Sequence, residues 1–111
     1  MTTGRAEIRG RLDVVEGRSR KIHVVGWTYD PFRPGTSNSA DIVVDGRMAA
    51  LPLANRARPD VNRVMQVAGR HGFDVWIAAT AGRHRVCVLA RPIADTGGAE
   101  VLLGCRTASV Y

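Results

Sequence analysis

Asp41-Ile42-Val43-Val44-Asp45-Gly46-Arg47-Met48-Ala49-Ala50 is the stretch that decides the fold. Two apolar runs flank Asp-Gly, the strongest short-range hairpin signal, because both central residues of a type I′ turn need positive φ. Outward from this hairpin, apolar residues recur with period 2, as in half-buried strands. Ile8, Gly10, Leu12 and Val14 share one face, with Arg9, Arg11 and Asp13 on the other. Ile22-His23-Val24-Val25-Gly26-Trp27 reads as a second strand, and strand character returns over 73–78, 85–90 and 101–110. Residues 30–39 collect Asp, Pro, Gly, Ser and Asn and read as a loop. The β pattern breaks over 54–70, where Val61, Val64 and Met65 stand at i, i+3 and i+4. That spacing predicts a short helix near 60–67, with Gly69 as its stop. Seven or so strands with one helical insert predict an all-β, immunoglobulin-like antiparallel β-sandwich.

The 111 residues suffice for one hydrophobic core, so 1–111 is expected to be a single domain, with 1–7 as an N-terminal arm. The arm has little to bury by itself and is expected to be ordered by a neighbouring chain. An apolar content of 45% is that of a globular chain. No apolar run approaches the ~18 residues of a membrane span, and Met1–Glu7 lacks the pattern of a secretion signal. The product is therefore expected to be made and left in the cytoplasm. The net charge of +6 rests on Arg, and Arg dominance of this kind mostly reflects a GC-rich coding bias. Arg5, Arg9, Arg11, Arg18, Arg20 and Lys21 are interrupted by Glu7, Asp13 and Glu16, as on solvated strand edges and turns. The positive field still favours acidic partners. Nucleic acid would have to bind through Arg9 and Arg11, on a strand without interleaved aromatics to stack bases.

Cys87 and Cys105 could form a disulfide, two buried thiols or part of a metal site. They are centred on position 96, inside the turn-rich segment Asp95-Thr96-Gly97-Gly98. A hairpin around that segment sets them opposite each other, with Cβ atoms ~4.5–5.5 Å apart, close enough for a bond after a small adjustment. Zinc would need His23, His71 and His84 as well. A tight turn at Ala81-Gly82 would pair His84 with Ala79 and send His71 to the far end of that hairpin, and no C-x-x-C or H-x-x-x-H is present. No metal or other cofactor is expected. The same turn would place Trp76 beside Cys87, on a face shared with Leu89, Leu103 and Cys105. Phe73, Val75 and Ile77 would share the other face with Val86, Val88 and Ala90. A sheet apolar on both faces needs a second cover, from the helix or from a partner. Trp27, with Tyr29 two residues on, either anchors the sandwich core or offers an aromatic pair to sugar rings.

Catalytic patterns are not apparent. Ser19, Ser37, Ser39 and Ser109 lack the Gly-x-Ser-x-Gly setting of a nucleophile elbow. Most Asp residues fall in turns or on exposed strand positions, and there is no phosphate-binding G-x-x-x-x-G-K-[ST]. The chain is not expected to be an enzyme.

Short blocks run the length of the chain: Gly26-Trp27 with Asp30-Pro31, Val44-Asp45-Gly46, Arg58-Pro59-Asp60-Val61, His71-Gly72-Phe73, Gly82–Val88 and Leu102-Leu103-Gly104-Cys105-Arg106. In order and spacing, from Leu12 to Val110, they resemble a small Cys-containing β-sandwich module of actinobacterial secreted and cell-wall-associated proteins, often found beside wall hydrolase domains. The resemblance implies pairing of Cys87 with Cys105 and a non-catalytic accessory role. A stand-alone copy without a secretion signal suggests a virion component of an actinobacterial phage, a capsid decoration or tail accessory protein acting by protein–protein contacts. It would be assembled in the host cytoplasm and exposed on the virion surface. The alternatives are an extracellular cell-wall glycan-binding module and a nucleic-acid-binding protein. Candidate contact residues are Trp76, Leu89, Leu103, Arg9, Arg11, Trp27 and Tyr29.

Overall fold

The computed structural model describes residues 7–93 and 98–111. The expected N-terminal arm lies, apart from Glu7, outside the described residues. Among the described residues, seven strands, β1 (Arg9–Arg18), β2 (Lys21–Tyr29), β3 (Ala40–Val44), β4 (Arg47–Ala50), β5 (Gly72–Ala78), β6 (Gly82–Ala90) and β7 (Val101–Val110), accompany one helix, α1 (Pro59–Met65). They form two antiparallel sheets with strand orders β1-β2-β5 and β4-β3-β6-β7. This is an immunoglobulin-like sandwich in which the fourth strand stays on the β3 edge instead of crossing to the first sheet.

Asp45 and Gly46 adopt φ of 51° and 80° and turn β3 into β4, as the Asp-Gly signal requires. Pro59 opens α1 at a position whose N–H needs no partner. The helix stops earlier than expected: Gln66, at φ 54°, is the left-handed C-cap, three residues before Gly69. The Asn62 side chain donates to the carbonyls of Val67 and Gly69 and holds the chain as it leaves the helix.

Ile22, Val24, Phe73 and Ile77 from one sheet meet Ile42, Val86, Val88, Ala108 and Val110 from the other in a single core. Gly26 makes room for the Phe73 ring, since a Cβ there would stand 2.5 Å from the ring's Cζ. At the side where β1 approaches β7, Arg106 donates to the carbonyls of Leu12 and Asp13 and ties the two sheets together.

The expected β5–β6 hairpin does not form. β5 pairs only with β2 among the strands, Ile22 opposite Ile77 and His23 opposite Trp76, while β6 lies between β3 and β7. The reason is burial. Side by side, β5 and β6 would make a sheet with two apolar faces. On opposite sheets, Phe73 and Ile77 meet Val86 and Val88 across one core and cover each other, and Trp76 is taken off the Cys-bearing face. Bulges also shift faces. One between Leu12 and Val14 turns Val15 toward the core and pairs Val14 with Val25, so Val14 leaves the face of Leu12.

Candidate functional site

The Cys prediction meets its geometry. Cys87 and Cys105 are directly opposed in the β6–β7 register and form a disulfide with a Cα–Cα separation of 4.0 Å. The bulge between Val88 and Leu89 falls just beyond this pair, so the alignment of the sulfurs survives. It does displace the next residues: Leu89 faces Leu102, while Leu103 turns inward and packs against the core. Leu103 is thus removed from the outer face on which it was expected, and exposed Leu102 takes its place. Across that outer face Met48, Val43, Cys87 and Cys105 form one row. Asp41 is buried at one end, paired with Arg91 and accepting from the Ser39 hydroxyl.

Trp76 is not beside Cys87 but on the opposite side of the molecule, on the outer face of the three-stranded sheet. Its indole, half exposed, stacks on the ring of His23 with centroids 4.1 Å apart and 2° between planes. The Lys21 ammonium lies 4.8 Å from the ring centroid, within cation–π range. Asp74 fixes the imidazole through Oδ1, 2.7 Å from Nε2. The sequence signal for this cluster was present, but reading it required pairing β5 with β2.

The other half of this face is covered by α1. Val61, Met65 and Val67 pack on Trp27 and Tyr29 in a second apolar cluster, and Tyr29 is only 8% exposed. The helix therefore covers the three-stranded sheet, not the Cys-bearing one. Trp27 anchors this satellite cluster rather than the sandwich core, and the pair does not form an open stacking platform. Arg9 and Arg11 stand opposite Tyr29 and Trp27 on β1, exposed at the margin of this cluster. Arg58 clamps the helix start: its guanidinium donates to both oxygens of Asp60, at 2.9 and 2.8 Å, and to Asp13 at 3.0 Å. Arg58 holds the Asp60 carboxyl down to about 2, and Asp60 and Asp13 in turn raise the Arg58 pKa despite its partial burial. The Arg-x-Asp spacing at 58–60 hinted at the first pair, whereas Asp13 arrives from a distant strand and was not foreseeable.

Each histidine has its own partner. Buried His71 lies on Ala68 O through Nε2, 2.7 Å away. His84 places Nδ1 2.6 Å from Asp45 Oδ2 and Nε2 2.7 Å from Thr80 O, so both nitrogens face acceptors and the imidazolium suits the site. Its pKa is raised by the Asp45 hydrogen bond, then by Thr80, and that of Asp45 is lowered by His84 and by the Arg85 N–H. Among the described residues, no three His, Cys, Asp or Glu side chains gather where a metal could be held.

No family model matches the chain, and no curated protein matches it in sequence. Among solved structures it is similar to the fibronectin(III)-like modules of Clostridium thermocellum CbhA, with 12% sequence identity and a TM-score of 0.49 over 93% of this chain and 94% of that one.

Proposed function

We propose that this chain is a non-catalytic binding or structural module that works by protein–protein contact, as a capsid decoration or tail accessory protein on the virion surface of an actinobacterial phage. The observation that supports the reading is the apolar outer face of the Cys-bearing sheet. Because α1 lies on the other sheet, Val43, Met48, Leu89, Leu102 and the disulfide receive no cover from it. Met48 and Leu102 are 49% and 55% exposed. A contiguous apolar row flanked by cations is the composition of an interface with an apolar centre and a polar rim. Strand alternation puts Arg83 and Arg85 on this face, and Arg91 follows at its other end. The resemblance to surface modules of actinobacteria supplies the setting.

Co-sedimentation with purified particles over a salt series tests the proposal. Association should survive moderate salt, because apolar burial is unscreened while exposed Arg pairs are screened. Leu102→Glu should abolish it in a chain that still folds, and Arg9→Ala with Arg11→Ala should change it little. Complete release between low and physiological ionic strength would transfer the reading to nucleic acid or anionic wall polymers. Retention on purified cell wall but not on particles would transfer it to a wall glycan module.

A further inference from the structure

β5 is an edge strand, and its ladder groups can be assigned individually. His71 O accepts from Thr28 N–H and Ala79 N–H donates to Arg20 O, so the odd-numbered residues of this stretch face β2. By alternation, the N–H and C=O groups of Gly72, Asp74, Trp76 and Ala78 point away from β2. Gly72 is already paired with Arg56 in both directions. Among the described residues no strand pairs with the outward groups of Asp74, Trp76 and Ala78. Hollows border both ends of this run, about 300 Å³ between Asp74–Val75 and the neighbouring Pro52, Leu53 and Asn55, and about 430 Å³ against Ala78 and Thr80. Apart from the Asp74 carboxylate, the run carries none of the usual devices that keep an edge from pairing, such as Lys, Pro or a bulge.

We propose that this edge pairs with β5 of a second copy of the chain, antiparallel, about a two-fold axis through Trp76. The open run is centred on Trp76, limited by Arg56 before it and by the departure of the chain at Ala79 after it. Only the register centred there uses all three outward residues: Trp76 faces Trp76, and Asp74 faces Ala78 of the other copy, on both sides of the axis. Each of these pairs exchanges two N–H···O=C bonds. The charges fit the same register. Lys21 neighbours Ala78 in the sheet and lies over the Trp76 ring, so the Asp74 carboxylate of one copy, which keeps Oδ1 on its own His23, comes to the side of the other copy's Lys21 ammonium. A register centred on Asp74 would oppose two carboxylates and meet the pairing already occupied by Arg56. The His23 stack holds each indole in place before contact. The two three-stranded sheets become one continuous sheet, and the apolar face of the Cys-bearing sheet stays open, so this pairing is independent of what that face contacts.

Sedimentation velocity over a concentration series, with backbone amide exchange, tests the pairing. The wild-type chain should dimerise reversibly with a Kd on the order of 10⁻⁴ M, since three ladder pairs bury well under the ~1,200 Å² of standard interfaces. Amides of Asp74, Trp76 and Ala78 should gain protection as concentration rises, while Phe73, Val75 and Ile77 stay protected throughout. Ala78→Asp sets a carboxylate against Asp74 twice per dimer and should weaken association at least tenfold. Ala78→Lys sets an ammonium there and should leave it unchanged or tighter. Ala78→Pro deletes an outward N–H without touching a bond to β2 and should also disperse the dimer, a second variant should Ala78→Asp fail to fold. A monomer at every concentration overturns the proposal. A dimer to which Asp and Lys at position 78 make no difference, or whose three edge amides exchange independently of concentration, overturns it equally, because the contact then lies on another face.

Discussion

Consider the chain with Cys87 and Cys105 both replaced by Ala. The bond closes a segment with a sequence separation of 18, and the chain-entropy relation for a loop of that length gives about 3 kcal/mol at 25 °C. The folded state should lose little. Both sulfurs lie on the outer face, outside the core cluster, and β6 and β7 remain paired from Gly82 with Val110 to Ala90 with Val101. The effect should therefore fall on the unfolded state. Urea unfolding of oxidised wild type against the double variant measures it. The midpoint should drop, and m should rise slightly as the unfolded chain expands. In a thermal scan the same loss should lower Tm by roughly 10–20 °C in a domain of this size. A loss under about 1 kcal/mol would refute the reasoning, since the unfolded hairpin would then already hold its ends together. A loss beyond about 5 kcal/mol would refute it from the other side, because the bond would have to organise native packing, outside what loop closure supplies.

Three further outcomes follow from the core, the β1–β7 approach and the His84 clasp. Phe73→Ala should cost about 3–5 kcal/mol in chemical denaturation, because the ring fills the space over Gly26 at the centre of the core. Gly17→Ala should be severely destabilising, since its Cβ would lie 1.8 Å from the Ser109 carbonyl oxygen, and β1 must withdraw from β7 to admit it; an unchanged melting temperature would contradict this close approach. The His84–Asp45 pair should give stability a two-sided pH dependence. The folded pKa of His84 is raised, so its contribution is complete below the ordinary His range and is lost as pH rises through the folded value. That of Asp45 is lowered, so its contribution is present above the ordinary Asp range and is lost as pH falls through the folded value. His84→Gln should flatten the alkaline side, and NMR titration of the His84 ring should show a midpoint above that of an unstructured peptide.

The elements were legible where a local rule sufficed. Asp45-Gly46 specified its own turn through φ, Pro59 marked its own helix start, and Cys87 and Cys105 stand opposite each other in the β6–β7 register as their spacing implied, while the expected turn at 95–97 lies outside the described residues. What escaped was set by partners distant in sequence. Leu102 and Leu103 are neighbours of one type, and only the bulge at Val88/Leu89 decides which of them faces outward. The cover that α1 gives to Trp27 and Tyr29 depends on which sheet the helix crosses after leaving β4. Asp13 reaches Arg58 only because β1 passes beneath the helix start.

The misplacement of Trp76 shows most directly why local reading fails there. Phe73, Val75 and Ile77 and the set Val86, Val88 and Ala90 were grouped together in the sequence, and they do converge, but as opposing walls of a core rather than as one sheet face. A short link such as 79–81 fits both a hairpin and a crossing between sheets. Crossing sets the two groups against each other so that each covers the other, whereas a hairpin would put both on one face and leave them to be covered by another element. That choice also frees the outer edge of β5, since β6, the nearest strand in sequence, goes to the other sheet. Among the described residues, an edge without a partner strand around Trp76 and an apolar face around Cys87 that α1 does not cover thus arise from the same crossing.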